Sequence, residues 1–168
     1  MEKLPLLDIA AKQLDRLLAF SPRVETKIAA VFAVDVAMLA LLAMNANATD
    51  VKQAHLVALD TIVVIALAAS IWFLCRATFP QLEGGGSSLV YFREIAGRTE
   101  VNFIKEMRDV DADQYTDDLL RQVWRNAEIL TTKFEGMRNA FICTTLAVPF
   151  WFTALLIASI HHAALIVK

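Results

Sequence analysis

The sequence predicts an all-α membrane protein with three transmembrane helices, a small helical cytoplasmic region and a long helix continuous with the third span. Three observations predict this class. Of the 168 residues, 57 % are hydrophobic, whereas soluble domains contain about 45–50 %. Three stretches are apolar around the whole helix rather than along one stripe. Finally, a heptad pattern of apolar residues enters the last of these stretches without a break.

The candidate spans are residues 28–44, 56–75 and 139–160. A span needs about 20 residues, with about 17 as the lower limit, so the first span is short and the other two are adequate. The first contains one charged residue, Asp35, the second contains Asp60, and the third contains none. A buried soluble bundle is the alternative, and it is disfavoured because these helices have no polar face for water.

The basic residues predict the orientation in the membrane. Residues 1–27 contain five Lys or Arg and residues 76–138 contain nine, but the connector 45–55 contains only one. Because cationic loops stay in the cytoplasm, we expect the N-terminus and residues 76–138 to be cytoplasmic. The connector and the C-terminus are then on the outer, periplasmic side.

The cytoplasmic part is expected to be helical. Residues 1–22 predict an amphipathic helix with one apolar side, formed by Leu7, Ala10, Leu14, Leu17 and Leu18. Residues 76–138 form the second cytoplasmic region, in which glycines at 84–86 allow a turn and Thr99 and Asp111 are expected helix N-caps. The long helix is expected over 112–138.

An apolar seam on the long helix predicts self-association. Its members recur at steps of 4, 3, 4, 3 and 4: Val123, Ala127, Leu130, Phe134, Met137 and Phe141. A cytoplasmic region this small offers the seam little to bury against, and small domains are marginal alone. We therefore expect a homo-oligomer, most simply a two-fold dimer.

Several functional classes are disfavoured by the sequence. The net charge of −2 gives no bulk attraction to nucleic acid. Cys75 and Cys143 lie in apolar runs without the spacing of a zinc site or a redox pair. The acidic stretch DVDADQYTDDLL has Gln114 and Leu120 where a calcium loop requires Gly and Glu. No hydrolase triad, HExxH or phosphate-loop motif is present, so we expect no enzyme, no cofactor and no metal.

Asp35 is the most informative single residue, because a carboxylate inside a span is costly and usually faces a bundle interior or a wet path. It predicts either a contact in a gate or pore, or a hydrogen bond between helices, and both interpretations stay open.

Polar residues beside the seam suggest a ligand site. Small anionic ligands need Arg or Lys for phosphate, amides for a base edge and an aromatic ring for stacking. The sequence offers these groups on the long helix and after the glycine turn. The hypothetical site consists of Ser87, Ser88, Tyr91, Phe92, Arg93, Gln122, Arg125, Asn126 and Lys133.

Three stretches in a fixed order resemble the Pycsar effector transmembrane family. They are VETKIAAVFAVDVAML, FPQLEGGGSSLVYFREIAG and DADQYTDDLLRQVWRNAEILTTKFEGMRNAF, the last followed by an apolar span. The resemblance covers about residues 23–160. It implies a bacterial inner-membrane effector of anti-phage defence. In such systems a partner cyclase makes cUMP or cCMP, and the effector senses it and impairs the membrane, which causes abortive infection.

The resemblance also implies which residues matter. The positions that match the family are Lys27, Ser87, Ser88, Tyr91, Phe92, Tyr115, Gln122 and Lys133. Two positions depart from it: Thr26 stands where an acid is expected, and Asp35 stands where an amide is expected. Lys27 and Asp35 are the hypothetical membrane gate, and both departures concern its details.

The glycine turn would let the segment SSLVYF fold back against the long helix, where a bound nucleotide could shift that helix and the third span. Two other classes stay open. A ligand-free adaptor predicts that Arg125→Ala and Lys133→Ala leave activity intact while Leu130→Asp destroys it. A small constitutive channel or transporter that uses Asp35 predicts ion flux without any nucleotide.

Overall fold

The computed structural model describes residues 5–46, 54–79 and 86–166, with side chains up to residue 161. This part of the chain is helical and contains no strand. Its helices are α1 (Leu6–Asn45), α2 (Ala54–Thr78), α3 (Phe92–Ala96), α4 (Glu100–Asp109) and α5 (Ala112–Ile166). Residues 80–85 of the expected glycine turn and residues 1–4 of the helix expected at 1–22 lie outside the described residues.

Three helices, α1, α2 and α5, are long and apolar enough to cross a membrane. Their most apolar windows have mean hydropathies of 2.2, 2.3 and 2.0, yet only 17 %, 22 % and 22 % of these windows is buried within the protein. Most of this apolar surface therefore faces outward, where lipid suits it better than water. The prediction of an all-α membrane protein is confirmed, as is the long helix that continues into the third span.

Helix α1 differs from the expected pair of helices because it runs through Pro22 without ending. An interior proline removes one backbone hydrogen bond and its ring crowds the preceding turn, which commonly kinks or breaks a helix, but the buried positions here keep their period across Pro22. Ala10, Leu14, Val24 and Ile28 are all buried and lie at multiples of a 3–4 spacing. Leu18, which was expected on the apolar side, is 49 % exposed.

The chain divides into two compact units. The first, the polar unit, contains residues 5–24 and 86–132, and the second, the membrane unit, contains residues 25–79 and 133–166, less the undescribed positions. All three predicted spans fall within the membrane unit. Helices α1 and α5 each contribute residues to both units.

The polar unit has a small apolar core of Ala10, Leu14 and Leu119, with Tyr115 and Val123 packed against it. Its helices begin as the sequence predicts. The Thr99 side chain accepts a hydrogen bond from the backbone N–H of Asn102. The Asp111 side chain accepts one from the backbone N–H of Gln114. Both expected N-caps are confirmed, and each satisfies a donor that the first helical turn leaves open.

The membrane unit is held by three seams whose buried positions mostly follow steps of 3, 4 or 7. Such a period favours helices that cross at a shallow angle with interlocking side chains. The seam residues are Ile28, Asp35, Met38 and Leu42 on α1; Leu56, Val63, Leu67, Ser70, Leu74 and Ala77 on α2; and Ala140, Thr144, Ala147, Ala154 and Ala158 on α5. Helix α5 presents small side chains, which let neighbouring helices approach closely.

The apolar seam predicted for self-association on α5 is not buried within the single chain. Phe134 and Phe141 are 41 % and 61 % exposed, and Ala127, Leu130 and Met137 are half-buried. The buried face of α5 is displaced by one residue from the predicted seam. Its side chains are smaller and more polar than those of the seam, which is why hydrophobicity did not reveal it. The homo-oligomer stays a prediction.

Gly136 lies where α5 closely approaches α2. A Cβ atom at this position would lie 2.7 Å from the Cβ of Ala77 and 3.1 Å from the carbonyl oxygen of Phe73. Neither atom belongs to a flexible side chain, so a substitution would have to move a helix.

We expect Gly136→Ala to lower the thermal stability of the protein in detergent, measured by circular dichroism. Alanine improves helix propensity by about 1 kcal/mol, but overpacking costs about 1–3 kcal/mol. The double variant Ala77→Gly/Gly136→Ala should recover part of the loss, because it removes the 2.7 Å contact. A Gly136→Ala protein as stable as the wild type would contradict this packing.

Candidate ligand cavity and membrane polar layer

The polar unit contains an open cavity of about 870 Å³. Small-molecule sites usually occupy about 300–1,000 Å³. Its walls come from the loop 86–89, from α4 and from the first turns of α5. The cavity therefore depends on how the loop is fixed against these two helices.

The loop is fixed by Ser88 and Asp118. One carboxylate oxygen of Asp118 accepts hydrogen bonds from the Ser88 hydroxyl at 2.9 Å and from the Leu89 backbone N–H at 2.7 Å. The Gln122 amide donates to the Ser88 hydroxyl at 3.2 Å. Gly86 and Ser87 have positive φ angles of 31° and 57°, which is unusual for serine. The expected contact between this segment and the long helix is present.

Arg98 holds the same loop from the other side. Its guanidinium donates to the carbonyl oxygens of Ser88 at 2.9 Å and Ser87 at 2.6 Å, and to a carboxylate oxygen of Glu106 at 2.8 Å. The side chain is only 13 % exposed. A planar guanidinium can serve several acceptors at once, so Arg98 positions the loop relative to α4.

The cavity wall is polar and mixed in charge. Its cations are Lys105 and Arg121, its carboxylates are Glu106, Asp109, Asp117 and Asp118, and its other polar groups include Asn102, Gln114 and Tyr115. Two of the carboxylates are already engaged, one by Arg98 and the other by the loop. Such a wall can bind an anionic group through the cations and polar edges through the amides and the remaining acids.

The hypothetical ligand residues separate into two groups. Ser87 and Ser88 line the cavity, as does Tyr115, and Gln122 lies behind Ser88 as its hydrogen-bond donor. Ser88 is 4 % exposed, so its hydroxyl serves the loop.

The other hypothetical ligand residues do not line this cavity. Phe92 is 65 % exposed, with its ring 4.9 Å from that of Tyr91. Arg125 lies 3.8 Å from Glu128, and the Asn126 amide donates to a backbone carbonyl of its own helix. Arg93 is not part of the cavity wall either. Lys133 belongs to the membrane unit.

In the membrane unit, Lys133 forms a close ion pair. Its ammonium lies 2.6 Å from a carboxylate oxygen of Glu25, and its side chain is 8 % exposed. Lys27, two positions along α1 from that acid, is exposed. The structure therefore does not bring Lys27 together with Asp35, which is fully buried. The gate that these two residues were expected to form stays a hypothesis.

The sequence analysis missed Asn102 and Lys105 as cavity residues, and Arg98 as the residue that positions the loop. One signal was available. Lys105 and Asp109 are four residues apart on α4, and Asp117 and Arg121 are four apart on α5, so each pair shares a helix face. Only the fold shows that these two faces line one cavity.

Asp35 lies in a buried polar layer that joins the three long helices of the membrane unit. Its Oδ2 accepts a hydrogen bond from Ser70 of α2 at 2.6 Å, and its Oδ1 accepts one from Thr144 of α5 at 2.7 Å. The two hydroxyl oxygens are 3.0 Å apart. The hydrogen bond between helices, one of the two interpretations of Asp35, is thus observed.

Fold and cavity together define an all-α membrane protein with a second compact unit that contains a ligand-sized polar cavity. The family model for the Pycsar effector protein domain, PycTM, matches residues 9–160. The chain therefore belongs to the Pycsar effector family, which supports a role in Pycsar anti-phage defence. No curated protein and no solved structure matches the chain.

Removing the Arg98 guanidinium should loosen the cavity loop. We expect Arg98→Ala to speed hydrogen exchange at the amides of Leu89, Val90 and Tyr91, which are bonded to Asp118 and Ser88. Arg108→Ala, a change of an exposed arginine on α4, is the matched control. Equal exchange in both variants would show that Arg98 does not fix the loop.

Proposed function

We propose that this chain is the membrane effector of a bacterial Pycsar system. It binds cUMP or cCMP through its polar unit and then impairs the integrity of the inner membrane, which causes abortive infection. The family match over residues 9–160 carries this proposal, because the match covers both the unit with the cavity and the unit with the three spans.

The cavity supports the proposed ligand class. A cyclic mononucleotide carries one negative charge and a flat base with hydrogen-bonding edges. Lys105 and Arg121 are the cations available for its phosphate, and Asn102 and Gln114 can donate to or accept from a base edge. The Tyr115 ring offers a stacking surface.

The acidic residues of the cavity suit other parts of a nucleotide. Asp109 and Asp117 line the wall together with the cations. A carboxylate only accepts hydrogen bonds, so it can receive a ribose hydroxyl or the exocyclic amine of cytosine. A carboxylate would repel the phosphate, so we expect the phosphate to lie towards Arg121 and Lys105.

The proposed topology places the polar unit in the cytoplasm, where a cyclase would release the nucleotide. The basic residues of segments 1–27 and 76–138 support this orientation, and the C-terminus is then periplasmic. The exposed apolar residues of α5, such as Phe134, support a homo-oligomer.

Ligand binding acts on the membrane only if the nucleotide binds more tightly to the permeable state than to the closed one. Helices α1 and α5 supply residues to both units. A change in the polar unit can therefore reach the spans along a continuous backbone, without a separate adaptor.

Dye release from liposomes that contain the purified protein tests the proposal directly, with cUMP, cCMP, cAMP and cGMP added separately. We expect release with a cyclic pyrimidine nucleotide and none with buffer or the purine nucleotides. Release with buffer alone would favour a constitutive channel. No release under any condition, together with no binding by calorimetry, would favour a ligand-free adaptor.

Arginine variants test whether the cavity is the binding site. We expect Arg121→Ala to weaken nucleotide binding about tenfold or more, because a hydrogen bond to a charged group contributes about 1.5–3 kcal/mol. The control Arg108→Ala should bind like the wild type. Arg125→Ala distinguishes the cavity from a site elsewhere on the long helix. If Arg125→Ala lost nucleotide binding and Arg121→Ala did not, the ligand would bind outside the cavity.

A further inference from the structure

We infer that the layer of Asp35, Ser70 and Thr144 is the closing contact of the membrane unit. It holds the three spans together in the impermeable state, and the spans separate when it breaks. The permeable state itself rests on the proposed function, but the contact and its strength can be tested without any nucleotide.

The layer joins three helices at one level of the bundle. Asp35 and Ser70 are 0 % exposed and Thr144 is 8 % exposed. Each hydroxyl donates to a different oxygen of the carboxylate, at 2.6 and 2.7 Å. One carboxylate of α1 thus ties both other spans.

Two other polar contacts of the described membrane unit each join two helices. The Lys133–Glu25 ion pair connects α5 with α1. The Trp151 indole N–H donates to the carbonyl oxygen of Met38 at 3.0 Å, again between α5 and α1. Neither contact includes α2, so neither can hold all three spans in register.

A polar layer adds a contact between helices that lipid cannot replace. Apolar seam residues such as Met38, Leu67 and Ala147 gain no hydrophobic driving force from association, because lipid tails are equally apolar, and contribute through close packing. An unpartnered carboxylate or hydroxyl in hydrocarbon has no such substitute. Separation of the three spans in lipid would therefore cost Asp35 both of its donors.

When the layer opens, the Asp35 carboxylate is exposed to any molecule that enters between the spans. A charged group inside a membrane protein is tolerated where it lines a water-filled path. A shift of α5 that withdraws Thr144 from Asp35 would therefore favour water entry. Asp35 thus helps to exclude water from the closed state and also stabilises the water-filled state that replaces it.

Two neighbouring threonines provide a matched test. Thr144 donates to Asp35 at 2.7 Å, with the Ala140 carbonyl oxygen as a second acceptor at 3.1 Å. The exposed Thr145, in contrast, donates to the carbonyl oxygen of Phe141 in its own helix. Valine has nearly the shape of threonine without the hydroxyl. We expect Thr144→Val to release dye from liposomes without nucleotide about tenfold faster than the wild type, and Thr145→Val to stay as tight as the wild type. Equal tightness of the two variants would overturn the inference.

Substitutions of Asp35 and Ser70 provide the second measurement. Asparagine keeps an acceptor and adds a donor, so Asp35→Asn should stay closed, whereas Asp35→Leu should leak. Helical content and a single size-exclusion peak in detergent establish that each variant folds. If Thr144→Val does not fold, Ser70→Ala replaces it: leakage without nucleotide supports the contact, and a tight membrane contradicts it.

Failure of the closing contact and failure of the proposed function give different results. If none of the cyclic nucleotides causes the wild type to release dye, the proposed function is wrong. A difference between Thr144→Val and Thr145→Val in buffer alone still supports the layer as the closing contact. If the wild type responds to a nucleotide and the two variants are equally tight, the inference fails while the function stands.

Discussion

The membrane unit depends on one buried carboxylate. Hydrocarbon offers Asp35 no hydrogen-bond partner, so the other spans must supply donors at the same level of the bundle. Ser70 and Thr144 do so, and this requirement fixes the register of α2 and α5 relative to α1. A shift of either helix by one residue would turn its hydroxyl away from the seam. The buried apolar residues on either side of this layer then recur at spacings built from steps of three and four along each helix.

The polar unit meets a similar constraint with different chemistry. Its loop at residues 86–91 leaves backbone groups that no helix or strand satisfies, and buried backbone groups need partners. Asp118 and Ser88 accept from the loop N–H groups, and Arg98 donates to the loop carbonyl oxygens. The side chains that hold the loop are therefore occupied, which leaves Lys105 and Arg121 as the cations of the cavity wall.

The predicted and observed surfaces of α5 illustrate a limit of pattern reading. Hydrophobicity indicated the heptad that contains Phe134 and Phe141, and both side chains are exposed in the single chain. In a membrane protein the most apolar face suits lipid or another subunit, whereas small residues such as Ala140 and Gly136 allow helices to approach closely. The heptad was predicted for self-association, so its exposure in a single chain leaves that prediction open, because hydrophobicity alone does not distinguish a surface for another subunit from one for lipid.

By itself, the sequence determined the helical class, the three apolar spans, the caps at Thr99 and Asp111 and the family, since these depend on composition and local order. Only the tertiary structure decided the partners of Asp35 and the composition of the cavity. Asp35 and Thr144 are 109 positions apart along the chain, and no local spacing relates them. Likewise, α4 and α5 line one cavity together with the loop that Arg98, Ser88 and Asp118 hold beside them. Such contacts arise from the packing of distant helices, which a single sequence does not record.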